Sequence, residues 1–206
     1  YLKDYTIFVM VYGIDEVGRG AWAGPLIVAG VSCQWQKKFE FDDIKKIWRL
    51  NADQSIVVTD SKKLNRKSRE LSAKWLMCNA SYRIGMDSAK NINKFGIRKV
   101  WDRLVEDLVK DEDSEVVIDG EWKPGGLENV RNLVRGDMLV WEIAAASIIA
   151  KVYRDNLMAN LAKKYQGYGW ERNVGYGTRE HREAIRQLGL NDQHRELWVR
   201  KVLGSC

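Results

Sequence analysis

The chain has 206 residues, 45% of them hydrophobic and 30% charged, and its 34 Lys and Arg against 28 Asp and Glu leave a net charge of +6. This is the composition of a folded globular protein and excludes a disordered one, while no apolar run approaches the roughly 20 residues of a membrane span. Cys33, Cys78 and Cys206 have no disulfide or zinc spacing; with no signal-peptide pattern at the start, they place the protein in the cytoplasm.

Taken in chain order, the pattern alternates strands and helices. YTIFVMVYGI, 5–14, is β-branched and aromatic and predicts a strand that delivers the chain to Asp15. Met10 is a possible natural start, with 1–9 an extension. LIVAGVSC, 26–33, is a second strand after a glycine-rich turn, and the charged stretch 36–54 reads as an irregular excursion. Asn65 caps a helix running to about Met77, with Leu71 and Trp75 on one face. A third strand covers 78–86. Ile97, Val100, Trp101, Leu104, Val105, Leu108 and Val109 follow the spacing of an amphipathic helix. EVVID, 115–119, is a short buried strand, and another follows near 128–134. A long apolar helix spans about 138–164. Two short helices close the chain, one capped by Thr178 and stopped by Gly189, the other starting near Asp192. The whole reads as one α/β domain with a helical C-terminal addition.

The stretch GIDEVGRG, 13–20, is not a nucleotide loop. Gly18, Gly20 and Gly24 miss the dinucleotide spacing, a strand and not a helix follows, and no Gly-Lys-Ser or Gly-Lys-Thr is present. Its two acids fit a site better, although successive strand side chains point to opposite faces. Asp15 and Glu16 therefore share a site only if the strand ends or bulges between them, which the following glycines permit. Asp119 ends a buried strand, where α/β folds place their sites. On the long helix Ser147, Lys151 and Asp155 form a polar stripe at intervals of four, and a carboxylate on so apolar a helix needs a cation. Carboxylates without a His or Cys constellation suit hard divalent ions, and two of these about 3.5–4 Å apart can hydrolyse a phosphodiester. His181 and His194, in polar, Arg-rich surroundings, read as surface residues. Basic residues cluster at 62–69 and again among Arg172, Arg179, Arg182, Arg186, Arg195 and Arg200; solvated helix faces explain them as readily as a nucleic-acid grip. A non-catalytic nucleic-acid module, another metal-dependent nuclease and a small phosphate-ester hydrolase all stay open at this point.

GIDEVGRG, TDSKKL (59–64), VVIDG (116–120), AAASIIAKVYRD (144–155) and VGYGTREH (174–181) resemble, in order, the successive motifs of the prokaryotic ribonuclease HII family, the type 2 ribonucleases H. The sibling type HIII carries a threonine where Arg19 stands. The resemblance implies a ribonuclease H-like mixed central sheet flanked by helices, forming a single domain over 1–206 with 166–206 as a helical segment that grips substrate. It implies cleavage of RNA in RNA–DNA hybrids and at ribonucleotides embedded in duplex DNA, leaving 3′-hydroxyl and 5′-phosphate ends, with two Mg²⁺ or Mn²⁺ ions as cofactor. Asp15, Glu16, Asp119 and Asp155 take the places of the metal-binding carboxylates. Gly18, Arg19 and Gly20 take those of the backbone that meets the ribose 2′-hydroxyl and scissile phosphate. Tyr176 matches the tyrosine that stacks at the ribonucleotide, and Lys62 a phosphate contact. The stretch 35–58 matches nothing in the family pattern, and the resemblance assigns no protein partner.

Overall fold

The computed structural model describes residues 10–203 apart from 35, 126, 128 and 129. A five-stranded sheet forms the centre, in the order β6 (Ser81–Asp87), β2 (Leu26–Ser32), β1 (Val11–Val17), β7 (Glu115–Asp119), β8 (Val130–Leu133). β1, β2 and β6 are antiparallel neighbours, while β7 and β8 continue from β1 in parallel, so the sheet is mixed.

Period-two alternation sorts its side chains onto two cores. Tyr12, Ile14, Leu26 and Val28 face α3 (Ile97–Val109), whose Val100, Trp101, Leu104, Val105 and Leu108 are buried against them. Ile27, Ala29 and Val31 face α4 (Trp141–Lys164) and α1 (Arg66–Asn79). The first half of α4 is hidden on all sides, as its run of Ala and Ile requires. It lies so close to β1 that a Cβ on Gly13 would stand 2.4 Å from the backbone of Glu142.

Several expectations hold. Asn65 caps α1 by accepting the Ser68 amide, and Thr178 caps α6 (Arg179–Leu188), which stops at Gly189. Others change. α1 runs on to Asn79, so Cys78 is helical, and its buried stripe is Ser72, Ala73 and Leu76, leaving Leu71 exposed. Ser72 Oγ accepts the Val57 amide, a polar tie that a search for apolar spacing does not see. Ala89–Phe95 forms a short helix, α2, missed because it buries only Ala89 and Ile92. Trp170–Asn173 forms another, α5, and the last helix, α7, spans Glu196–Leu203, four residues after Asp192. The strand expected over 5–14 falls partly on 1–9, and that over 128–134 partly on 128 and 129, all outside the described residues.

The largest correction is the stretch 36–54. Instead of an irregular excursion it contributes most of a second, three-stranded antiparallel sheet, β3 (Phe39–Asp42), β4 (Ile47–Leu50) and β5 (Asp53–Val58). Phe39 pairs with Leu50 on the inner face and meets Trp75 and Trp141 edge-on, while Phe41, further along the same face and more exposed, stacks on Trp48. Four-residue strands are too short for their alternation to stand out among so many charges.

Candidate active site

β7 last pairs with β1 at Ile14↔Ile118, whereas β1 itself continues to Val17 against β2. The strand neither ends nor bulges between Asp15 and Glu16, contrary to the sequence expectation. The two acids point to opposite faces, Glu16 toward α3 and Asp15 toward α4. They share a site because β7 stops beside them, leaving the edge of β1 open over its last residues. There the Glu16 amide turns to Asp15 Oδ1 at 2.7 Å.

Around that edge lies a cleft of about 400 Å³ lined by Asp15, Glu16, Val17, Gly18, Arg19, Gly20, Ser61, Lys62, Asp119, Ser147, Lys151 and Tyr176. Eight of the nine residues named from the sequence are among them. The ninth, Asp155, sits one turn along α4 from Lys151, paired with its Nζ at 2.8 Å and 3.8 Å from Arg69 Nη2. Among the described residues, no three acidic, imidazole or thiol groups lie close enough in their present rotamers to hold one ion.

Electrostatic strain concentrates on the acids. Burial, then the charges of Glu16 and Asp119, push the Asp15 carboxyl well above its usual range. Burial also raises Glu16, although Arg19 at 3.0 Å and the Trp101 indole N–H at 3.2 Å oppose it. Asp119 accepts the Gly136 amide at 2.7 Å. Burial lowers Lys62, but Asp60, Asp15, Asp137 and Asp119 outweigh it and the ammonium is held more firmly charged. The sequence reading missed Asp137, which burial and then Asp60 raise to about 6; it follows the shortest strand in the five-stranded sheet and has no local pattern to mark it.

The opposite wall is the backbone of 18–20. Gly18 has φ +91°, and any Cβ there would strike Arg154 Nε at 2.3 Å, so this position demands glycine. Gly20 is different: nothing lies within 4 Å of the place a Cβ would take, and the gap opens onto the cleft. Arg19 folds over the Trp122 ring at 4.8 Å while pairing with Glu16.

The C-terminal segment builds this wall from behind. Trp22 and Ala23 amides donate to Gly175 O, and Gly24 N to Gln193 O. Tyr176 is set by its own carbonyl, which accepts the Thr178 amide at 2.8 Å and the His181 Nδ1–H at 3.0 Å. His181 Nε2 in turn accepts the Trp170 indole N–H and faces His194 Nε2 at 3.3 Å. Both histidines are buried, not surface residues, and burial lowers His181 and takes His194 down to about 4. Arg195, read as part of a basic surface cluster, is also fully buried. Of that cluster Arg172, Arg179 and Arg200 are exposed and paired with neighbouring glutamates.

A model of the ribonuclease HII family matches residues 12–201. Ribonuclease HII of Prochlorococcus marinus strain AS9601 is 40% identical over 198 residues, covering 92% of this chain and 89% of the relative. Among solved structures, the PCNA:RNase HII complex from Archaeoglobus fulgidus aligns with TM-score 0.72 and 25% identity over 92% of this chain and 95% of its counterpart. Bst-RNase HIII in complex with Mn²⁺ aligns with TM-score 0.66 over 96% of this chain and 70% of that one; at 20% identity it shows the fold alone.

Proposed function

The chain belongs to the ribonuclease HII family, and from that premise we propose that it cuts the RNA strand of RNA–DNA hybrids, and duplex DNA on the 5′ side of a single embedded ribonucleotide, leaving 3′-hydroxyl and 5′-phosphate ends. The observation that carries the reading is the cleft itself. Three carboxylates and an open glycine backbone face each other across a space that also holds Lys62 and Tyr176. An unrelated nuclease of this fold has use for the acids but not for the opposite wall.

The donor set is carboxylate oxygen without histidine or cysteine, which fits Mg²⁺ or Mn²⁺. The burial of Asp15 beside Glu16 and Asp119 is a cost that positive charge relieves. Asp15, Glu16, Asp119 and Asp155 would hold two such ions once Arg19 and Lys151 release their present partners. When bound, such ions polarise the phosphodiester and lower the pKa of a coordinated water. The Mn²⁺ held by the HIII neighbour supports a divalent cofactor.

The remaining roles fall to the chain. The Arg19 and Gly20 amides, which find no acceptor among the described residues, bind the ribose 2′-hydroxyl and the phosphate beside it. Tyr176 stacks on the same sugar, and Lys62 neutralises a phosphate. Residues 166–206 complete a single domain and grip the duplex, and the protein works in the cytoplasm. The test is a DNA duplex with one ribonucleotide, incubated with Mg²⁺ or Mn²⁺ beside the same duplex without it. Cleavage 5′ of the ribonucleotide alone is expected; no cleavage, or equal cutting of both, defeats the proposal.

A further inference from the structure

Two arginines, Arg154 on α4 and Arg195 just before α7, are each 0% exposed. A buried guanidinium normally meets a carboxylate, because an unpaired buried charge is costly. Among the described residues neither does. Every hydrogen bond they make goes to a backbone carbonyl. Arg154 donates to Ala23 O, Pro25 O and Val174 O at 2.7–3.0 Å. Arg195 donates to Gly24 O at 3.0 Å, Arg19 O at 3.1 Å and Gly18 O. Its own amide takes Trp22 O at 2.7 Å. Five of the carbonyls between Gly18 and Pro25 are thus drawn inward by these two side chains. Burial, with Arg154 beside it, lowers Arg195 to about 9, so it remains charged at neutral pH.

A peptide unit is rigid, so its carbonyl and the next amide point in opposite directions. Pulling Gly18 O and Arg19 O back toward Arg195 turns the Arg19 and Gly20 amides out toward the cleft. We propose that Arg195, seconded by Arg154, is the positioning residue of the ribose-reading loop: it sets the direction of those amides and, with Arg154, holds two positive charges, neither in contact with a carboxylate among the described residues, behind the place the phosphate takes. The arrangement explains why so expensive a pair is kept, since an anionic substrate supplies the missing counter-charge. The inference rests on the functional reading above and deepens it.

Steady-state cleavage of a duplex with one ribonucleotide tests it, comparing native protein, Arg195→Met and Arg195→Lys, with folding followed by circular dichroism. Methionine fills much of the volume without charge or donors. A loss of about 30-fold in kcat is expected, the worth of a charged hydrogen bond or two, with KM within threefold and the Mg²⁺ dependence unchanged. Lysine keeps the charge but offers one point of contact where the fork holds three carbonyls, and about a tenfold loss is expected. A folded Arg195→Met with native kcat overturns the inference. So does a loss that extra Mg²⁺ restores, which would place the effect on the acids. If methionine prevents folding, the lysine variant decides, and native kcat in it overturns the geometric role. A native protein that leaves the ribonucleotide uncut defeats the functional reading and this inference together.

Discussion

The two walls of the cleft are built on opposite principles. The acid wall stands on the centre of the sheet and on α4, yet its charges repel one another and burial drives the Asp15 and Glu16 carboxyls upward. The loop wall is irregular backbone from two distant parts of the chain, yet its carbonyls are held from behind by buried side chains, and two buried histidines are fixed beside it by their own hydrogen bonds. A rigid scaffold can carry a frustrated set of charges, which then has a strong reason to take up cations. An irregular loop has no such reserve and holds its direction only by anchoring its carbonyls from behind.

The largest effect expected from breaking this contrast is on the acid wall. Asp15→Asn removes one charge from a crowded, buried group, so cleavage with Mg²⁺ should disappear. Yet the metal-free protein should become more resistant to urea above neutral pH, because the like charges no longer oppose folding. Parallel activity and unfolding measurements check it; a variant that is inactive only because it is less stable breaks the comparison.

Tyr176 probes the loop wall, where function and packing run together. Tyr176→Ala should lose about 10–100-fold in kcat/KM on a single-ribonucleotide duplex, the worth of a stacked base or sugar face, and less on a long hybrid with many contacts. Tyr176→Phe should keep most of the stacking. Equal cutting of both substrates by the alanine variant would make Tyr176 a packing residue beside Arg154.

The walls should also answer pH with opposite signs. Asp15 has its carboxyl raised in the native state, so falling pH lets the folded protein take up a proton that the unfolded chain does not, and stability gains until the ordinary range near 4 is reached. His194 is lowered from 6.5 to about 4, so its contribution is complete above 6.5 and is lost as pH falls toward 4. Between pH 7 and 4.5 the native protein should lose roughly 2 kcal/mol relative to His194→Gln, read as urea midpoints in EDTA. A constant difference between the two proteins across that range would show that the imidazole pair does not titrate there.

How much of this was readable beforehand follows the same division. Asp119 ends a strand, Asp15 and Glu16 lie within the last residues of another, and Asp155 sits on a helix stripe, all in elements whose period the sequence shows. What it could not show was how Asp15 and Glu16 meet, since that depends on where a strand 100 residues away stops. Arg154 and Arg195 act by contacting carbonyls far along the chain, and His181 and His194 by meeting each other in the interior. Composition rules place such residues on the surface, and only tertiary structure reveals them as interior. The small sheet at 39–58 was missed for a related reason: its inner face is completed by Trp75 and Trp141, which belong to other elements.

The smallest effect concerns the rim that both walls share. If the duplex lies across the cleft, log affinity should fall linearly with log salt, by about 0.9 for each phosphate neutralised. Counting every arginine in the late cluster overstates the slope, because Arg172, Arg179 and Arg200 are held by glutamates and Arg195 is inside. Lys62, on the acid wall, and Arg182, on α6 of the loop side, are without such a pairing partner among the described residues. Lys62→Ala and Arg182→Ala should each reduce the slope by about 0.9, and the double variant by about twice that, with the cutting position unchanged. Titrations of a non-cleaved all-DNA duplex in EDTA across a salt series measure it. Should only Lys62→Ala lower the slope, the duplex is gripped by the acid wall alone, and the C-terminal segment serves to hold the loop and not the substrate.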